Sequence, residues 1–197
     1  MDFLAATHNV GKRDEIQRIL EHLGIRVLID REVGVRLREP EENGTTFEEN
    51  AAIKAKAAVE DSGMPCIADD SGLVVDALGG RPGVYTARYG GEELPFPQKI
   101  EMLLGEMDGV PEEKRTARFV SAVVCAFPDG RTITVRGECE GIIGFMPYGE
   151  GGFGFDPIFY YHGKSFASLP PDEKDAVSHR GSALRLLVQE LENMLDS

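Results

Sequence analysis

The order of the first 29 residues constrains the fold most. A short apolar segment, residues 2–6, runs into the loop "THNVGK". Ile16, Ile19, Leu20 and Leu23 then recur at i, i+3, i+4 and i+7, one face of a helix that Gly24 ends. Residues 25–29, "IRVLI", alternate as a strand. Strand, loop, helix, strand in that order commits the chain to the α/β class.

Later segments fit one α/β domain over residues 1–197, with a mixed central sheet flanked by helices. Residues 38–46, "REPEENGTT", are polar and turn-rich. Thr45 with Glu48, or Thr46 with Glu49, fits a capping box at the start of "FEENAAIKAKAAVEDS", which Gly63-Met64-Pro65 stops. "PCIADD" reads as a strand, Ser71-Gly72 as a turn, and "GLVVDAL" as a second strand. Residues 79–97 are rich in Gly and Pro and irregular, with one helical turn at "GVYTARY"; a short helix covers residues 98–107. Residues 115–127 and 131–142 are β-rich and joined by "PDG", a hairpin signal, and this hairpin can form part of a second lobe. A final helix from Ser178 carries Leu184, Leu187, Val188, Leu191 and Leu195 on one face.

A chain of 197 residues that is 42% hydrophobic can bury one sizeable core or two small ones. No apolar run nears the roughly 20 residues of a membrane span, and "MDFLAATHNVGK" does not read as a signal peptide. A soluble cytoplasmic protein is expected. Cys66, Cys125 and Cys139 lie in or beside apolar runs and read as reduced core residues; neither they nor the four histidines show zinc-type spacing. The net charge of −13 argues against nucleic-acid binding. It also opposes any phosphate-bearing substrate unless a metal and local cations offset it.

Four constellations carry possible chemistry. "THNVGK", Thr7–Lys12, joins a strand to a helix N-terminus, where free N–H groups and Lys12 suit phosphate, although the P-loop spacing is absent. The bland alternative is a turn with Asn9 as cap and Lys12 solvated. Glu39, Glu41 and Glu42 can offer oxygen ligands to Mg²⁺, or form a solvated acidic loop. In "ADDSG", strand alternation points Asp69 and Asp70 to opposite faces, so one can serve a site while the other holds the scaffold. No nucleophile elbow surrounds Ser71. Last, "GFGFDP" offers an aromatic ring to a base and "KDAVSHR" offers donors to ring oxygens. The alternative for Phe153 and Phe155 is core packing, with one of the two expected there.

Together, "THNVGK", "TFEENAAIKA", "IADDSGLVVDALGGRPGVYTARY", "GFGFDPIF" and "SHRGSAL" resemble the inosine/xanthosine triphosphate pyrophosphatase (Ham1-like) family, from residue 3 to the last helix. The departures are His8, where the family often has a small residue, and Phe155, where Tyr or Trp is common. The resemblance implies an elongated fold whose two lobes form a substrate cleft. It implies a Mg²⁺-dependent homodimer that hydrolyses XTP, ITP and dITP to monophosphate and pyrophosphate, clearing them from the nucleotide pool. It makes Asp70 the catalytic acid/base and metal ligand, joined by Glu42. It assigns substrate contacts to Thr7, His8, Asn9, Val10, Gly11, Lys12, Ser71, Phe153, Gly154, Phe155, Asp156, Lys174, His179 and Arg180.

Chemistry agrees with this assignment. A carboxylate can aim water at one phosphorus, Mg²⁺ can neutralise the leaving pyrophosphate, and an Arg180 or His179 donor suits the 6-oxo group of inosine or xanthosine. The rivals are an aspartyl phosphatase, disfavoured by adjacent rather than D-x-D acids; a pyrophosphatase for modified pyrimidine nucleotides; and a nucleotide-binding module without turnover.

Overall fold

The structure, a computed structural model, describes residues 2–195, the Leu195 side chain excepted, so the expected place of Leu195 on the last helix's apolar face lies outside the described residues. Seven strands, β1 (Asp2–Ala5), β2 (Arg26–Leu28), β3 (Cys66–Val75), β4 (Thr116–Ala126), β5 (Thr132–Ile143), β6 (Phe159–Tyr161) and β7 (Lys164–Ser165), are ordered β2-β1-β3-β4-β5-β6-β7. β1 pairs parallel to β2 and β3, whereas β5–β6 and β6–β7 are antiparallel, so the sheet is mixed as expected. The helices are α1 (Val10–His22), α2 (Asp30–Val33), α3 (Phe47–Ser62), α4 (Phe96–Glu106), α5 (Pro171–Val177) and α6 (His179–Leu195). No helix among the described residues is long and apolar enough to cross a membrane.

The chain forms two compact units, each with its own core. The first comprises the chain up to Asp70, Ser121–Gly137 and the chain from His179; the second comprises Ser71–Val120 and Glu138–Ser178. In the first, Ile16, Ile19 and Leu20 of α1 and Ala183, Leu184, Leu187 and Leu191 of α6 pack on Phe3, Ala5, Ile67, Val123 and Cys125. Burying each of the Ile, Leu, Val and Phe side chains among these stabilises the fold by about 1.5–3 kcal/mol. In the second, Leu73, Leu103, Phe119, Phe155, Phe159 and Phe166 are the centre. All three cysteines are free and buried. Burial pushes the Cys125 thiol up to about 12 and the Cys139 thiol up to about 11, so neither is a nucleophile.

Several sequence-based expectations need correction. Leu23 is not on the buried face: α1 ends at His22, and Leu23, its C-cap, is exposed. Of the two capping boxes, Thr46 with Glu49 forms: Thr46 Oγ1 accepts from the Glu49 N–H at 3.1 Å, and Glu49 accepts from the Thr46 N–H at 3.3 Å. Ser71-Gly72 is no turn. β3 runs unbroken through it, because burial along almost the whole strand outweighs local turn propensity, and in the second unit the Leu73 N–H is satisfied by Thr86 Oγ1 at 2.9 Å. α2, α5, β6 and β7 are elements that the sequence pattern did not predict. The "PDG" turn closes as expected, with the Phe127 N–H donating to the Arg131 carbonyl at 3.0 Å.

Candidate active site

Strand alternation separates the two adjacent aspartates within the first unit. Ile67 faces the core built on α1 and α6, and Asp69, two residues on, points the same way. There its carboxylate meets Arg180 of α6: Nε and Nη2 both donate to Oδ2, each at 3.1 Å. Lys12 of α1 lies 3.2 Å from Oδ1. Ser121 Oγ donates to Oδ2 at 3.2 Å, and Arg180 also donates to Glu15 through Nη1. Gly137 of β5 lets α6 come this close: a Cβ there would stand 2.2 Å from the His179 carbonyl and 2.4 Å from the Ala183 nitrogen.

Asp70 points the other way, to α3. Lys54 Nζ lies 3.1 Å from its Oδ1, and Asn50 Nδ2 donates to its Oδ2 at 3.3 Å. Asn50 and Lys54 are four residues apart on α3, one above the other on one helix face. Lys54 also lies 3.4 Å from Glu42, the glutamate of the acidic loop that reaches this point. Glu39 instead stands 3.8 Å from His8. The Gly44 N–H donates to Asn50 Oδ1 at 2.8 Å, and a Cβ at Gly44 would collide with that oxygen at 2.6 Å.

These surroundings drive the two carboxyls apart. Burial opposes ionisation of Asp69, but Arg180, Lys12 and Lys54 outweigh it and hold Asp69 far below the usual carboxylate range. Burial also raises Asp70; Lys54 and Lys12 oppose it, Asp69 and Glu42 add to it, and Asp70 ends above its ordinary value. For Lys12, burial dominates and lowers its pKa against the pull of Asp69. For Lys54, burial is outweighed by Asp70, Asp69 and Glu42, and its pKa rises. One aspartate is a fixed anion; its neighbour is tuned toward accepting a proton.

The expected phosphate loop sits beside this cluster. Asn9 caps α1, its Oδ1 accepting from the Lys12 N–H at 3.0 Å, and Thr7 Oγ1 accepts from the Asn9 N–H at 3.2 Å. Val10 and Gly11 form the first turn, with Val10 exposed. Lys12 is not the solvated cation of the bland reading, because its ammonium is paired with Asp69. His179 is buried, one residue before Arg180.

The remaining candidates belong to the second unit. Lys174 of α5 donates to Asp156 Oδ2 at 2.6 Å, and both side chains are buried. The Phe153 N–H donates to the same oxygen at 2.9 Å, and Lys174 Nζ lies 4.7 Å from the Phe153 ring centroid. Gly152, at φ +65°, clears the space: a Cβ there would stand 2.1 Å from Asp156 Oδ2. Gly154 also has positive φ, +64°. As expected for one of the two rings, Phe155 packs in the core, edge-on to Tyr89 and Phe96, whereas Phe153 is half-buried. Ser71 is half-buried on β3. Sequence reasoning missed Lys54, Asn50, Glu15 and Ser121. The i, i+4 spacing of Asn50 and Lys54 was a readable signal for two of them; nothing local marks Glu15 or Ser121.

Residues 3–190 match the model of the Ham1 family. The chain is 46% identical over 198 residues to a dITP/XTP pyrophosphatase of Geobacillus kaustophilus, covering 98% of this chain and 96% of that one. It is 48% identical over 191 residues to a dITP/XTP pyrophosphatase of Bacillus subtilis, covering 96% of each. A solved HAM1 protein of Coxiella burnetii superposes with a TM-score of 0.86 at 36% identity, covering 98% of this chain and 99% of that chain. The Staphylococcus aureus Ham1 protein gives 0.85 at 38% identity, covering 98% and 100%.

Proposed function

The chain belongs to the Ham1 family, and from that premise we propose that it hydrolyses non-standard purine nucleoside triphosphates of the XTP, ITP and dITP kind to monophosphate and pyrophosphate, removing them from the nucleotide pool. One observation carries the reading: Asp69 is locked as an anion by Arg180 and Lys12, while adjacent Asp70 is held above the usual carboxylate value beside Lys54. Asp70 is the group that orients the attacking water and takes its proton. Lys12 and the first turn of α1 hold phosphate oxygens, with Thr7, His8, Asn9, Val10 and Gly11 shaping the loop. Ser71 follows Asp70 and adds a hydroxyl for substrate.

Charge favours a metal. Lys12, Lys54 and Arg180 face Glu15, Glu42, Asp69 and Asp70, three cations against four carboxylates, and a triphosphate adds more negative charge. Asp70 and Glu42 fit Mg²⁺, because their oxygens already converge on one cationic point and Mg²⁺ binds through one or two carboxylates with waters and substrate phosphates. When bound, Mg²⁺ neutralises the leaving pyrophosphate.

For the base, Phe153 offers its ring, with Gly154, Phe155 and Asp156 supporting it and Lys174 beneath it. His179 and Arg180 are the donors suited to a 6-oxo purine. Arg180 gives three of its five N–H groups to Asp69 and Glu15 in the contacts described above, so its donor geometry is tied to the catalytic strand. Homodimeric assembly and a cytoplasmic location are carried by the family resemblance, and light scattering tests the first. The deciding experiment for the activity is a nucleoside-triphosphate panel with and without Mg²⁺, with products identified. Pyrophosphate from ITP or XTP is expected. Orthophosphate alone would point to a phosphatase, and binding without turnover to a nucleotide-binding module.

A further inference from the structure

Lys54 holds a position that a divalent cation would also claim. Its ammonium lies 3.1 Å from Asp70 Oδ1 and 3.4 Å from Glu42 Oε2, joining a strand to the acidic loop. Its side chain is only 16% exposed. Asp70 Oδ2 meanwhile accepts from Asn50 on the same face of α3. An ammonium contacts oxygens at about 3 Å, whereas Mg²⁺ draws them to about 2.0–2.1 Å in near-octahedral geometry. The two cannot share one point between the same two oxygens. Lysine differs from a fixed ligand in one further respect: its charge rides on a flexible four-carbon stem, so the ammonium can leave while the helix stays in place.

We propose that Lys54 is the site's own counter-ion, bridging Asp70 and Glu42 while no divalent cation is present and giving up that position when one binds. This rests on the reading of Asp70 and Glu42 as the metal carboxylates. Without a cation between them, two carboxylates in a partly buried place repel each other and lose water, which destabilises the strand and the loop. Lys54 removes that repulsion in the empty protein. It also weakens metal binding, since the incoming ion must first displace a bound positive charge. Once displaced, the ammonium is within the reach of its stem for phosphate oxygens, so the released charge turns toward the substrate. The arrangement favours metal that arrives with a nucleotide over metal alone.

The test uses the full chain without nucleotide, with Mn²⁺ as the probe and free Mn²⁺ followed by electron paramagnetic resonance. Thermal melting is recorded in EDTA and in Mg²⁺. Lys54→Met should bind Mn²⁺ about tenfold or more tighter than the wild type, because a like charge has left the site. Its melting temperature should fall in EDTA and recover in Mg²⁺, while that of the wild type moves little. Lys54→Arg, which keeps the charge, should follow the wild type in both measurements. Equal or weaker Mn²⁺ binding by Lys54→Met overturns the proposal. So does a melting loss that Mg²⁺ does not restore, or a Lys54→Met protein that stays unfolded in Mg²⁺. Glu42→Gln separates the levels. If Mn²⁺ binding ignores Glu42, the metal reading falls and this inference with it; if binding needs Glu42 but is indifferent to Lys54, this inference alone falls.

Discussion

Arg180 and Asp69, 111 residues apart in the chain, are joined by two N–H groups that converge on one oxygen, Asp69 Oδ2, each at 3.1 Å. The other oxygen is left to Lys12 at 3.2 Å. Both partners are at most 1% exposed, so removing the charge of one leaves the other buried and uncompensated. Asp69→Asn should therefore lower unfolding stability by about 3–5 kcal/mol in urea denaturation. Asp70→Asn should abolish pyrophosphate release while costing about 1 kcal/mol or less, because the ionised Asp70 is already disfavoured by burial. Equal stability losses in the two variants would show that the scaffold and working roles have been exchanged.

The pH dependence follows from the same pair, with opposite signs. Asp70 must be ionised to accept a proton, and burial raises its pKa. That holds without metal; Mg²⁺ held by Asp70 would favour its ionised form, so the acidic limb of kcat/KM should move to lower pH as Mg²⁺ is raised. Asp69 is depressed, so the stability it contributes is complete above about pH 4, where the unfolded group ionises, and is lost as pH falls through its lower folded value. A limb that stays fixed as Mg²⁺ is raised would remove Asp70 as the base that also holds the metal.

Arg180→Lys keeps a positive charge but loses the fork that spans Glu15 and Asp69. The melting temperature should drop, and the ratio of kcat/KM for ITP over ATP should shrink by about tenfold, worth about 1.4 kcal/mol of transition-state discrimination. A uniform fall for both nucleotides would confine Arg180 to holding Asp69.

Gly152→Ala tests the second unit. A methyl group there would overlap Asp156 Oδ2 and force a side chain into φ +65°. The carboxylate that holds both Lys174 and the Phe153 N–H must then move. KM for ITP should rise about tenfold with a smaller change in kcat. An unchanged KM would separate this loop from substrate binding.

Local signals made much of the fold legible. β1, α1 and β2 follow from apolar periodicity, α3 from its cap and Gly63, and the β4–β5 hairpin from "PDG". Signals that depend on distant partners were not legible. Ser71-Gly72 reads locally as a turn, yet burial on both sides keeps β3 extended through it. α5 has only a weak local signal, Pro171 at its first turn followed by Asp172 and Glu173. In the candidate site, alternation along β3 separated Asp69 from Asp70, and Glu42 and Asp70 each contact Lys54, a residue that sequence reasoning missed. That Glu15 anchors Arg180 from 165 residues away is a product of packing α1 on α6, and no spacing rule reaches that far.

The backbone fixes how Asn50 faces Asp70. The Gly44 N–H can only donate, so the Asn50 amide must present its oxygen there and its NH₂ to Asp70. The opposite orientation would set two donors face to face. Asp70 Oδ2 therefore accepts from Asn50 while Oδ1 accepts from Lys54, and both oxygens of the carboxylate are held by α3. A peptide N–H, which no side-chain substitution can delete, thereby fixes which end of the Asn50 amide faces the carboxylate.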